Sequence, residues 1–389
     1  MNVVFFCPQF PRQNIEFCRG LRQSGATVLG IGDEPYAALP DRLKTVLTEY
    51  YRVDDLEEYD PVLRAVGFFT HKYGKIDRFE SLNEYWLELE ARVRTDFNIY
   101  GTKNDFVYNL KHKSKMKAFF EKSGVATVRC QPFTDLKAAQ EFVAQVGLPV
   151  VVKPDLGSGA SQTYKLGSDL ELTNFAHNKP SDVDFILEEY VDGVIQTFDG
   201  LVDSRGTVAF ATSHLFEQSI MEVVNTDDHL YYFCLPRIDP DVEAAGRAIL
   251  RAFDVRERFF HIELFRRRRD GKIIALEVNM RPPGAWMTDA INFTHDIDIY
   301  QEWANMVVLG RVGGPFTGKY HTAYASRKRH KTYAHPHEEI VKVFASQLVQ
   351  QAPIEEVFSR AMGNSAYQFR APELEEVRRI VEFVQAERA

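Results

Sequence analysis

Glu263, Glu277 and Asn279 are the residues whose types and spacing most constrain the chemistry open to this 389-residue chain. They sit in Phe259-Phe260-His261-Ile262-Glu263-Leu264-Phe265 and Ile273-Ile274-Ala275-Leu276-Glu277-Val278-Asn279, two apolar runs with a two-residue period. Between them lies Arg266-Arg267-Arg268-Arg269-Asp270-Gly271-Lys272, so the pattern predicts an antiparallel hairpin. A two-residue loop at Asp270-Gly271 would pair Glu263 with Val278 and split the glutamates between opposite faces. A three-residue loop ending in a left-handed Gly271 pairs Glu263 with Glu277 and puts Asn279 on the same face. Two carboxylates and an amide oxygen on one half-buried face repel unless a cation lies between them. All-oxygen ligation suits Mg²⁺ or Mn²⁺ and not zinc.

Two further segments could handle phosphate and a heterocycle. Leu148-Pro149-Val150-Val151-Val152-Lys153-Pro154 reads as a short apolar strand running into Asp155-Leu156-Gly157-Ser158-Gly159-Ala160-Ser161. A loop of that composition can lay backbone amides against phosphate oxygens, with Lys153 as a point charge on the same group. Phe185-Ile186-Leu187-Glu188-Glu189-Tyr190-Val191-Asp192-Gly193 reads as a strand ending in a turn, whose backbone groups can meet a purine edge. Taken singly, each reads as an ordinary surface turn or strand.

The elements that must position these residues follow from pattern and composition. The chain is too long for one ordinary core, so two or three domains are expected. It is 45% hydrophobic and 26% charged with a net charge of −8, an ordinary globular composition that argues against a general nucleic-acid binder. The four cysteines (Cys7, Cys18, Cys130, Cys234) make no CxxC pair, which fits a reducing compartment. Met1 leads straight into an apolar strand with no leader pattern, and no apolar run suffices to span a membrane, so a cytoplasmic location is expected.

Along the first hundred residues strand and helix alternate: a strand at 3–7, a helix at 12–25, a strand at 27–32, a helix at 60–73, a strand at 76–80 and a helix at 84–96. This rhythm predicts a parallel, doubly wound sheet. The first turn, Pro8-Gln9-Phe10-Pro11, lacks the glycines of a dinucleotide fingerprint. Helices are expected at 111–122, 135–146 and 241–253. Beyond residue 315 a strand is expected at 320–327, with helices at 337–347 and 373–386. The arginine run 266–269 is expected at a solvated hairpin tip, and His321, His330, His335 and His337 on the surface. His261 could serve either behind Glu263 or as a core residue, His214 could reach a substrate cleft, and Asp199 could assist the site or cap a turn. Met287-Thr288-Asp289, after the turn at Pro283-Gly284, could shape an acceptor pocket.

It is the order of the segments that is specific. Lys113 precedes the Gly124-Val125 strand start, then come the strand-Lys-Pro-glycine loop, Ile-Leu-Glu-Glu-Tyr-Val-x-Gly, and Glu…Glu-x-Asn-x-Arg. In this order the chain resembles the ATP-grasp superfamily over about residues 1–315, in particular its carboxylate–amine ligases and the carbamoyl-phosphate-synthase and biotin-carboxylase branch. The resemblance implies an α/β fold of three parts: an N-terminal α/β domain at 1–103, a two-lobed ATP-grasp domain at 104–315, and an α/β segment at 316–389. It implies that Lys113 and Lys153 contact the α- and β-phosphates of ATP, with Gly157, Ser158 and Gly159 folded over them. Glu188, through its carbonyl, and Val191 would lie at the adenine edge, and Gln196 stands where many relatives bind the ribose with an acid. Glu263, Glu277 and Asn279 would hold Mg²⁺ or Mn²⁺, and Arg281 would clamp an acyl phosphate or substrate carboxylate. The implied activity is ATP-dependent joining of a small-molecule carboxylate to an amine, with no nucleic-acid or membrane partner and a homodimer allowed. A phosphotransferase and a catalytically silent ATP-binding module are the alternatives on the same fold.

Overall fold

The computed structural model describes residues 1–157 and 162–388. Its first sheet is built from β1 (Asn2–Phe6), β2 (Thr27–Gly32), β3 (Glu49–Arg52) and β4 (Arg78–Glu80), all parallel, in the order β3-β2-β1-β4. Alternation along β1 explains the double winding. Val3 and Phe5 pack with Phe17, Cys18 and Leu21 of helix Asn14–Gln23. Val4 and Phe6 pack on the other face with Val62, Val66 and Phe69 of helix Tyr59–Tyr73. The expected parallel sheet is therefore present, with β3 as an additional short edge strand.

A small antiparallel lobe follows: β5 (Cys130–Pro132), β6 (Val150–Pro154), β7 (Tyr164–Leu166) and β8 (Phe185–Glu189), in the order β5-β8-β6-β7. One face is covered by helices Leu136–Val146 and Asp169–Asn178, whose Ala139, Phe142 and Leu172 pack on Val150, Val152 and Leu187. The helix at 136 starts where the Asp135 carboxylate accepts the Ala138 amide, 2.8 Å away, an N-cap readable in the sequence.

The large sheet comprises β9 (Gly193–Val202), β10 (Val208–Phe216), β11 (Tyr231–Leu235), β12 (Arg258–Arg267), β13 (Ile273–Asn279), β14 (His321–Arg327), β15 (Leu348–Pro353) and β16 (Ser365–Ala371). Its order is β13-β12-β9-β10-β11-β14-β16-β15. The last strands thus extend the central sheet, with β14 pairing β11 from Tyr231↔Ala325 to Cys234↔Thr322. The helix expected at 337–347 stops at Val343, and Leu348 already enters β15. Among the described residues no helix is long and apolar enough to cross a membrane.

The N-terminal domain is tied to the large sheet by charge as well as packing. Arg258 of β12 reaches Glu80 and Glu90, the latter at 3.2 Å, and Arg94 lies 2.8 Å from Glu90. All four side chains are buried, so each cation is matched inside the interface. This fixes the loop after β4, which carries Glu84, against the end of β13.

Candidate active site

The hairpin β12–β13 pairs Glu263 with Glu277 and His261 with Asn279, but by a different route from the one expected. The loop has four residues, not three: Arg267 N donates to Lys272 O at 3.0 Å and Gly271 N to Arg267 O at 2.8 Å. Gly271, at φ +68°, closes it in the left-handed region that glycine adopts at no steric cost. That loop alone would set Glu263 opposite Leu276. A bulge corrects it: Leu264 pairs with Ala275 and Glu263 with Glu277, leaving Leu276 unpaired. The extra residue turns Glu277, Asn279 and Arg281 toward the same cleft as Glu263.

The cleft, about 170 Å³, lies between the small lobe and the β12–β13 edge of the large sheet. Lys113, Lys153, Gly157, Glu188, Val191, Glu263, Glu277, Asn279 and Arg281 all line it. Ser158 and Gly159 lie outside the described residues. A larger cleft of about 560 Å³ between residues 98–106 and 253–258 contains none of the candidates.

Lys153 leaves β6 into the cleft, and its Nζ lies 2.7 Å from Glu188 Oε2. Burial alone would depress the ammonium, but Glu188 and Glu277 hold its pKa above the ordinary lysine value. Lys117 Nζ lies 2.7 Å from Glu188 Oε1, close but not aligned as a hydrogen bond. Burial raises the Glu188 carboxyl, and the two lysines more than offset it, bringing it to about 2. Glu188 is thus engaged through its side chain by both lysines at the cleft wall. Its backbone lies inside the sheet between Cys130 of β5 and Val151 of β6, and its side chain bridges two lysines. Glu189 at the end of the strand, and Tyr190 and Val191 after it, also line the cleft.

Lys113 opens helix Lys113–Ser123, which ends at left-handed Gly124. Asp155, which follows β6, accepts from Ser114 N at 2.7 Å and Ser114 Oγ at 2.8 Å, while its carbonyl accepts Lys113 N at 3.1 Å. It thereby caps the helix and joins both lysine-bearing elements. This cap also explains why the helix begins at 113 and not at the expected 111. Lys113 Nζ donates to the Gly157 carbonyl and lies 3.6 Å from Glu277 Oε1.

The carboxylate end is balanced differently. Burial raises Glu277, Lys113 lowers it, and Glu263 raises it again, for a net upward shift. Glu263, also raised by burial, is brought below its ordinary value chiefly by His261, whose Nε2 lies 3.2 Å from Glu263 Oε1. Among the described residues no three His, Cys, Asp or Glu side chains form a self-sufficient metal site. Two carboxylates and an amide oxygen beside a lysine-lined cleft match a hard ion that completes its shell with phosphate and water, as Mg²⁺ does. A closed zinc site would need more protein ligands.

Arg281 lies at the cleft wall, where its Nη2 is 2.8 Å from Glu84 Oε2 and its Nη1 donates to Pro282 O at 3.0 Å. Gln196 does not reach the cleft. It is in register with Leu264, whereas Thr197 and Ile195 are in register with the cleft residues Glu263 and Phe265. Its side chain donates to Asp239 at 3.0 Å and accepts from Arg266 at 2.7 Å on the opposite face. A one-residue displacement along a strand changes the face, so Ile195 occupies the cleft position.

His214 is buried against Asp199 rather than open to the cleft, and Asp199 lies buried between His214 and His261. His321, His330 and His337 bond Pro372 O, Asp227 and Tyr367, and His335 stacks on Phe383. None lines the cleft. Sequence reading missed Asp155, Lys117, Glu84 and helix Ile220–Thr226. Lys117 was signalled by its i,i+4 spacing from Lys113 on one helix face. The helix was signalled by the Ser219…Glu222 capping box, and both of those residues line the cleft. Glu84 has no local signal, because its partner is 197 residues away.

Residues 146–289 match the model of the ATP-grasp domain. An L-arginine-specific L-amino acid ligase of Bacillus subtilis is 24% identical over 271 residues, 66% of this chain and 64% of that protein's length. A crystal structure of an L-amino acid ligase from Bacillus licheniformis superposes with a TM-score of 0.75 at 15% identity, covering 98% of this chain and 96% of that one. The biotin carboxylase domain of the Hydrogenobacter thermophilus 2-oxoglutarate carboxylase, solved with MgADP and bicarbonate, gives a TM-score of 0.68 at 15% identity, covering 95% and 86%. Those identities carry the fold alone, while the family match covers the segment holding Lys153, Glu188, Glu263, Glu277, Asn279 and Arg281. The chain therefore shares the fold of these ligase and carboxylase structures, and its residues 146–289 match an ATP-grasp domain.

Proposed function

We propose that the chain is an ATP-dependent ligase that activates a small-molecule carboxylate as an acyl phosphate and joins it to an amine. One observation carries this reading: Lys113, Lys153, Glu263, Glu277, Asn279 and Arg281 face one cleft built from both lobes. Lys153 and Lys113 would meet the phosphates of ATP, Val191 would lie beside the base, and Glu263, Glu277 and Asn279 would hold Mg²⁺ or Mn²⁺. When bound, the ion offsets charge on the transferring phosphoryl group.

An oxygen of the substrate carboxylate attacks the γ-phosphorus as the bond to ADP breaks. The amine nitrogen then attacks the acyl carbon, phosphate leaves, and the ammonium proton is lost. No protein nucleophile is required. Arg281 would take the acyl phosphate or carboxylate as a fork-shaped cation, exchanging its contact with Glu84. Several relatives join amino acids, so amino acids head the carboxylate panel. We place the reaction in the cytoplasm, with small-molecule substrates and a homodimer allowed.

The decisive experiment measures phosphate release with a panel of carboxylates and hydroxylamine present to trap acyl phosphate as hydroxamate. Hydroxamate that requires ATP, Mg²⁺ and one carboxylate class is expected. ATP binding without carboxylate-stimulated phosphate release would leave a nucleotide-binding module instead. The metal assignment has its own check. Calorimetry should show ATP binding tightened by Mg²⁺ in the wild type and no such tightening in Glu277→Gln.

A further inference from the structure

Behind the cleft carboxylate Glu263 runs a line of buried polar groups that the proposed reaction does not use. Alternation puts His261 on the same face of β12 as Glu263, and register sets His261 opposite Asp199 of β9. His261 Nε2 is 3.2 Å from Glu263 Oε1, and its Nδ1 is 2.6 Å from Asp199 Oδ1. On the far side, Asp199 Oδ2 lies 2.7 Å from His214 Nδ1 of β10. Thr197 donates to the same oxygen and accepts the His214 backbone amide at 2.8 Å. Asp199 and His214 have no exposed side-chain surface and His261 only 4%.

A fully buried carboxylate held by three side-chain donors is an expensive thing to build into a sheet. Apolar residues of the same volume would hold three adjacent strands at least as well. What the row supplies is orientation. With Asp199 taking the Nδ1 proton, the His261 ring is fixed in one plane, and its Nε2 can face only Glu263. Thr197 and His214 in turn hold Asp199 from the other side, so the direction set at His261 does not depend on any group in the cleft.

We propose that Asp199 is a positioning residue for the cation site, acting through His261 to hold the Glu263 carboxylate in the conformation that receives the ion. This rests on the assignment of Glu263 as a metal ligand. Residues standing behind metal ligands in this way commonly set ion affinity by about 10–100-fold.

The test is ADP binding to the full chain by calorimetry at several Mg²⁺ concentrations, beside Mn²⁺ binding by electron paramagnetic resonance, for wild type, Asp199→Asn and His261→Gln. Asparagine keeps the shape at 199 but cannot accept from both imidazoles and Thr197 as a carboxylate does. Glutamine at 261 can still reach Glu263 but gives up the bond to Asp199. Both variants should weaken Mg²⁺ and Mn²⁺ binding by at least ~10-fold, with Mg²⁺-free ADP affinity within ~2-fold of wild type. If Asp199→Asn does not fold, His261→Gln carries the test from the other end of the same bond. Wild-type ion affinity in the folded variants, even with a lowered melting temperature, would reduce the row to a structural role and overturn the proposal. A wild type whose ADP binding ignores Mg²⁺ would instead remove the metal assignment itself.

Discussion

The two walls of the cleft carry similar numbers of charges but are balanced in opposite ways. On the small-lobe side, Lys117 and Lys153 close on Glu188, each at 2.7 Å, and all three are buried. Folding pairs that wall's one carboxylate with both lysines and leaves a single net positive charge. On the large-sheet side, Glu263 and Glu277 stand opposite each other across β12–β13, and their repulsion helps keep Glu277 above its ordinary pKa. Lys113, 3.6 Å away, only partly offsets this. That wall is left for a ligand to neutralise. A fold can keep such a pair only because its core is secured elsewhere, here by the interface ion pairs around Arg258 and by packed β9–β12.

The sharpest break in this contrast comes from removing the charge at Glu188. Glu188→Gln removes the carboxylate that Lys117 and Lys153 share, and stability should fall on the order of 3–5 kcal/mol by urea denaturation. The pH dependence has a definite sign. Because Glu188 is held at about 2 against an ordinary 4.5, its contribution is complete above pH 4.5 and is lost as pH falls toward 2. In the variant that part of the acid limb should flatten. An unchanged acid limb would mean the lysines are neutralised by something else.

Arg281→Lys addresses the substrate side of the open wall. Turnover with the true substrate should fall at least ~100-fold, the scale for losing one electrostatic transition-state contact, while nucleotide affinity stays near wild type. Turnover and nucleotide affinity falling together would assign Arg281 to ATP.

Next in size is Lys153→Ala, which should weaken ATP binding by about 1.5–3 kcal/mol and leave adenosine binding unaffected, since the lysine meets phosphate and not base. Equal losses for both ligands would move Lys153 away from the phosphates.

The smallest expected effect is on the stability of Glu277→Gln. A carboxylate whose pKa is raised by folding works against the folded state once ionised, so a neutral isostere should leave the melting temperature unchanged or slightly higher above pH 5. A clear drop would show that the open wall is already satisfied and that the contrast between the walls is false.

Much of this was legible from local pattern. The parallel first domain followed from strand–helix alternation, and the helix expected at 135–146 is found at Leu136–Val146. The pairing of Glu263 with Glu277 was expected, yet it arises from a four-residue loop corrected by a bulge at Leu276. Two errors cancelled there, because register depends only on the total residue count between partners. At Gln196 no such cancellation occurred, and one residue of offset put the side chain on the wrong face.

By itself the sequence determined which side chains are available and their spacing along each strand and helix. Those are properties of neighbours in the chain, set by periods of two and 3.6 residues. The tertiary structure alone decided which charges meet: Glu188 with two lysines, Arg281 with Glu84, and Asp199 with two histidines from other strands. Such contacts join positions far apart in sequence, and their energies depend on burial, which no local pattern encodes.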